Sequence, residues 1–150
     1  MNSYFHFCPI LLAPGSVIEP GNFGRIIRLR GTEHRLFRRE MAYESLRHRL
    51  FRNCPSRLDC LFCFPTRQEA ELCRTNIEGY AKSVLYEVES AEATPHIADM
   101  NNGLQHFALA AFDDEVIADY WRGWQRSLDP QAVILREVLL RSPATIRRRI

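Results

Sequence analysis

Lysine is almost missing from this chain. Of 20 basic residues only Lys82 is a lysine, so nineteen are arginines. A GC-rich genome would produce that bias without any functional pressure. A functional origin is also open, because planar guanidinium groups suit phosphate and pyrophosphate recognition. Long apolar runs are missing too. No window approaches the ~20 residues that a membrane-spanning helix needs. The N-terminus has no basic residue ahead of its apolar ones, and Pro9, Pro14 and Gly15 interrupt them, which argues against a secretory signal. The expected setting is a cytoplasm, with no membrane partner; delivery into a target cell would need a route independent of a signal peptide.

A second C-x-x-C is absent, as is any H-x-x-x-H. The five cysteines are Cys8, Cys54, Cys60, Cys63 and Cys73. Cys60 and Cys63 sit in a stretch that reads as a strand, where residues three apart point to opposite faces. Buried free thiols are the expectation rather than a metal site. No repeat, low-complexity block or linker appears either, so residues 1–150 are expected to form one domain. At 46% apolar side chains the chain is long enough for one proper core.

The remaining pattern is that of a mixed protein. Residues 3–8 read as a first strand, and Pro14-Gly15 as a turn. Val17-Ile18 and residues 25–29 read as short extended pieces around the loop Pro20-Gly21-Asn22-Phe23-Gly24. A long helix is predicted over 33–52, with an apolar stripe through Leu36, Tyr43, Leu46 and Leu50. Along its side, Glu40, Glu44 and Arg47 have the spacing of ion pairs.

Pro55 stops that helix, and 58–64 reads as a strand. Thr66 and Glu69 then form a capping box for a helix to about Asn76, with Gly79 helping the chain turn. Residues 83–89 alternate as a strand does. Residues 99–111 read as a loop and then a helix. Asp113 or Asp114 caps a last helix running through Trp124, and 127–130 make a turn. A strand carrying Glu137 closes the domain, and Arg147-Arg148-Arg149 read as a solvated tail. Strands joined by irregular pieces, with no steady β-α-β rhythm, point to an α+β class with a mainly antiparallel sheet.

Three pieces carry chemistry: Tyr4-Phe5-His6 in the first strand, Pro55-Ser56-Arg57 leading into Cys60-Leu61-Phe62-Cys63-Phe64, and Arg136-Glu137-Val138-Leu139-Leu140 before Pro143. In order and spacing the set resembles the ADP-ribosyltransferase superfamily in its His-Tyr-Glu branch, the small bacterial members in particular. The resemblance spans nearly the whole chain. It implies a split antiparallel sheet with flanking helices that clamps NAD as co-substrate. It also implies a mono-ADP-ribosyltransferase, a pentosyl-group transferase of the toxin or effector kind. Its acceptor would be a macromolecule, protein or nucleic acid, and an immunity protein or antitoxin could block the cleft.

By the same resemblance His6 would bind the adenosine ribose, and Glu137 would bind the 2′-hydroxyl of the nicotinamide ribose. One carboxylate suffices for such a reaction. Positive charge develops on the ribose, and the leaving nicotinamide needs no proton. Arg57 would contact the pyrophosphate bidentately, or else pair with the helix bearing Glu40 and Glu44.

The chain departs from the family's pattern at the second strand, where Phe62 and Phe64 stand in place of a tyrosine. Tyr43, or Tyr120 beside Trp121, would then supply the stacking ring, unless both are core aromatics. Leu135 replaces the first acid of a Glu-x-Glu, which weakens arginine-directed transfer. Two other classes stay open: an inert interaction domain of the same fold, and an arginine-rich nucleic-acid-binding module. The second would need its arginines clustered on one face.

Overall fold

The computed structural model describes residues 1–76, 80–101, 113–124 and 135–150. In it the chain adopts the α+β class with split, mainly antiparallel sheets and flanking helices. The first sheet sets β1 (Asn2–Cys8) beside β4 (Val84–Ser90), then β7 (Ala144–Arg149), then β2 (Val17–Ile18). The second sets β3 (Leu61–Cys63) beside β6 (Arg136–Leu140) and β5 (His96–Asp99). They meet at one antiparallel bridge, where the amides and carbonyls of Phe5 and Phe64 exchange hydrogen bonds of 3.0 and 2.7 Å.

Strand alternation sorts the side chains into two cores. Leu135 and Leu139 face one, with Phe7, Phe64, Tyr43, Tyr120 and Trp121. Val138 and Leu140 face the other, with Tyr4, Cys63, Tyr86 and Ile146. The strand β6 is therefore apolar on both sides, as a central strand should be. Cys60 belongs to the first core and Cys63 to the second, as the opposite-face argument requires. All five cysteines are free thiols. Burial pushes the thiols of Cys60 and Cys73 up to about 12, so neither is a ready nucleophile.

Among the described residues, four helices cover the sheets: α1 (Asn22–Arg30), α2 (Phe37–Leu50), α3 (Arg67–Asn76) and α4 (Asp114–Arg122). Thr66 caps α3, but the reciprocal half of the box is a side-chain bond: Thr66 Oγ1 accepts from the Glu69 amide at 3.2 Å and donates to the Glu69 carboxylate at 2.7 Å. Such a cap contributes about 1 kcal/mol. Asp113 caps α4 by accepting from the Glu115 amide at 2.7 Å. Where α2 and α4 cross, the Trp121 indole donates to the Tyr43 carbonyl at 3.0 Å.

Several expectations are overturned. Residues 25–29 are not extended but lie in α1, where Gly24 and Ile27, one helical turn apart, form the buried stripe. The long helix is interrupted: Gly31–Glu33 is a 3₁₀ turn, His34 is extended, and α2 starts only at Phe37. At its far end Leu50 is 66% exposed, so the apolar stripe stops at Leu46. The strand expected over 58–64 is shorter, because Arg57–Asp59 form a 3₁₀ turn capped by Ser56. A strand over 96–99 was not foreseen. Residues 147–149 are no tail. They complete β7, where Arg147 and Arg148 pair with Glu89 and Glu87 of β4 at 3.1 and 2.6 Å. The expected turns at Gly79 and 127–130, and most of the 99–111 segment, lie outside the described residues.

Candidate functional site

Glu137 stands on the central strand of the second sheet, opposite Ala98 of β5, and is 5% exposed. Its neighbour Arg136 faces the other way and fixes the head of the strand by a fork onto Glu69, at 2.7 and 3.0 Å. A carboxylate so buried needs charged partners. Arg57 Nη1 and the Tyr120 hydroxyl both donate to its Oε1. Its Oε2 accepts no hydrogen bond among the described residues.

Arg57 comes from the 3₁₀ turn behind α2, and its placement starts with Ser56. The Ser56 hydroxyl accepts from the Leu58 amide at 3.2 Å and donates to Glu44 at 2.8 Å, tying the turn to α2. The Arg57 guanidinium then spans two carboxylates. Nε and Nη2 meet Glu40 at 2.8 and 3.2 Å, and Nη1 reaches Glu137 and the Tyr120 hydroxyl. Arg39 adds bonds of 3.1 and 2.6 Å onto Glu40. Two arginines thus balance two glutamates in a nearly dry space. Aromatic faces complete it: the guanidinium carbon lies 4.8 Å from the Phe62 ring centre, 5.2 Å from Tyr120 and 5.6 Å from Tyr43, within cation–π range.

Charge matching outweighs desolvation here. Burial alone would raise the Glu40 carboxyl, but Arg57 and Arg39 together hold it below the usual carboxylate range. Burial would lower Arg57, yet Glu40 and its neighbours hold it above an ordinary arginine. Tyr120 is pushed up, chiefly by burial and against the pull of Arg57. Its hydroxyl therefore keeps its proton and acts as a donor to Glu137.

Four residues singled out from the sequence thus converge: Glu137, Arg57, Tyr43 and Tyr120. His6 does not join them. On β1 it shares a side with Tyr4 and Cys8, which pack on the second core, while Glu137 shares its side of β6 with Leu139 of the first. His6 instead meets the Phe62 carbonyl through Nδ1 at 2.7 Å. A carbonyl only accepts, so Nδ1 carries the proton. Burial lowers the His6 pKa, against that hydrogen bond, which leaves Nε2 as a bare acceptor. Because the Phe62 ring covers Arg57, His6 is linked to the cluster through one residue.

Of the two roles foreseen for Arg57, the ion pair with α2 forms, through Glu40; Glu44 pairs with Arg47 instead, at 2.6 Å. Tyr43 is fully buried behind Tyr120, ring centres 5.0 Å apart and nearly perpendicular, so it supports the site rather than offering a face to a ligand. Sequence reasoning offered Glu40 only as a structural partner of Arg57 and missed Arg39. The signal was there: Glu40 precedes Tyr43 by three residues and so shares its face of α2. Among the described residues no group of three or more histidine, cysteine or acidic side chains has the arrangement of a metal site.

Residues 13–147 match the model of a family described as "Protein of unknown function (DUF2441)". No curated protein matches the chain.

Proposed function

The chain belongs to the DUF2441 family, and we propose that it is an NAD-consuming mono-ADP-ribosyltransferase with Glu137 as the catalytic carboxylate. One observation carries this reading. Arg57 and Tyr120 hold the carboxylate through one oxygen at the head of a central strand, and the other oxygen has no partner among the described residues. In the proposed reaction Oε2 accepts the 2′-hydroxyl of the nicotinamide ribose. The glycosidic bond to the pyridinium nitrogen breaks, and its electron pair leaves with neutral nicotinamide. The carboxylate stabilises the oxocarbenium-like ribose electrostatically. An acceptor nucleophile then bonds to the anomeric carbon and gives up its proton.

Arg57 and Tyr120 act as positioning residues, because a carboxylate fixed in advance needs no reorganisation as charge develops. The unprotonated Nε2 of His6 suits a ribose hydroxyl as donor, which fits the role the resemblance implies. Phe62, half-buried, takes the place of the absent second-strand tyrosine as the aromatic wall.

Burial favours a second reading. Arg57 and Glu137 are 4% and 5% exposed, as expected of a structural ion-pair cluster in an inert domain of this fold. Labelled NAD separates the two. The transferase releases nicotinamide and loses that activity in Glu137→Gln, with the variant's fold checked by its melting temperature. Release that is equal in both proteins, or missing from both, leaves the structural reading standing.

A further inference from the structure

Charge is distributed very unevenly along this chain. Residues 25–39 hold six arginines and one glutamate, a balance of +5. The other 135 residues hold fourteen basic and seventeen acidic side chains, a balance of −3. Elsewhere arginines are mostly neutralised by a neighbour: Arg47 by Glu44, Arg136 by Glu69, Arg147 by Glu89 and Arg148 by Glu87. Within the basic segment Arg28 pairs with Asp59 and Arg39 with Glu40, whereas Arg25, Arg30 and Arg38 are exposed and have no carboxylate partner among the described residues. The field is felt locally: burial first, then Arg30, Arg35 and Arg39, lowers the pKa of His34, opposed only by Glu40.

The segment is also firmly mounted beside the cluster. Gly24 presses α1 onto the backbone of Leu58, next to Arg57, so closely that a Cβ there would meet the Leu58 carbonyl oxygen at 1.8 Å. Phe23 of α1 sets its ring edge-on to Phe62 at 5.1 Å, and Phe62 floors the Arg57 guanidinium. The outer face of α1 interleaves its arginines with exposed Ile26 and Leu29, 41% and 78% accessible. Alternating guanidinium and aliphatic groups suit a strand that offers phosphates and unstacked bases together. A duplex would present phosphates alone to such a ridge.

We propose that α1 and the start of α2 bind the backbone of a single-stranded nucleic acid, which is the acceptor for the Glu137 site. The word acceptor rests on the transferase reading; the binding does not, and its test uses no NAD turnover. An oligothymidylate and an oligouridylate, fluorescently labelled, are titrated with the full chain at rising salt, and the logarithmic salt slope is read. Replacing Arg25, Arg30 and Arg38 together by Gln makes that slope shallower by about 2, since each phosphate contact on a single strand contributes roughly 0.7. At low salt the same variant binds about tenfold or more weakly. The control Arg147→Gln, Arg148→Gln, Arg149→Gln removes as many charges from β7 and stays within about twofold of the parent.

Four outcomes overturn the proposal: no strand binding at low salt, equal loss in both triple variants, displacement of the strand by excess NAD, or equally tight binding of polyglutamate. The third would mark a dinucleotide site and the fourth an acidic protein partner. A Glu137→Gln protein that still binds the strand but releases no nicotinamide would uphold both proposals, whereas strand binding without NAD turnover in either protein would sink the transferase reading alone.

Discussion

Glu40 is a carboxylate with almost no water around it, 1% exposed, and burial on its own would favour the protonated form. Two guanidinium groups reverse that preference, so its folded pKa lies below the unfolded one. The linkage sign follows: the stabilisation is complete above the ordinary carboxylate range and disappears as pH falls through it towards the folded value. Replacing Glu40 by Gln takes away the buried carboxylate that Arg57 and Arg39 share. The expected cost at pH 7 is about 3–5 kcal/mol, typical of breaking a buried ionic network by removing one partner. Urea denaturation across the acid range checks both parts. The gap to the parent protein should narrow on acidification; a gap of constant size would mean that the Glu40 charge is not the source.

Among the helices, α1 owes its place to an absent side chain. Its Gly24 is not at positive φ, so the glycine is needed for space alone. An alanine Cβ would lie 1.8, 2.4 and 2.5 Å from three backbone atoms of Leu58, and backbone cannot turn aside as a long side chain can. Gly24→Ala is expected to cost about 3 kcal/mol by overpacking, a fall of roughly 6–12 °C in Tm for a domain of this size. Calorimetry reads it directly, and an unchanged Tm would show that α1 is not clamped on the Arg57 turn.

This contact also explains what the sequence revealed and what it hid. The caps of α3 and α4 were legible because the Thr66 and Asp113 side chains accept from amides two or three residues away. The helix α1 was not: Ile26-Ile27 reads as extended, and the contact that decides the matter is with Leu58. Likewise Glu137, Arg57, Tyr43 and Tyr120 were recognisable as types. Their meeting depends on where α2, α4 and β6 pack, which no local pattern encodes. His6 stands apart from that cluster because alternation along β1 fixes its side, and that side is set by which core Tyr4 and Cys8 join.

At the scale of the whole molecule, the two sheets exchange backbone hydrogen bonds at one bridge among the described residues, yet they share β6 in both cores. Leu139 belongs to one and Val138 and Leu140 to the other, so neither core can open without stripping one face of that strand. The 2.7 Å bond from His6 to the Phe62 carbonyl adds a second tie between β1 and β3. Single-unit unfolding is the expectation, and the thiols report on it from both sides. Cys60 and Cys73 sit in the first core and Cys63 in the second, all buried, while Cys8 and Cys54 are partly accessible. In native buffer an aromatic disulfide reagent should therefore modify Cys8 and Cys54 alone. In a urea series Cys60, Cys63 and Cys73 should become reactive together, at the midpoint seen by circular dichroism. Reaction of Cys63 at a lower urea concentration than Cys60 and Cys73 would show that the first sheet opens alone. The bridge and β6 would then be too weak to couple the two halves.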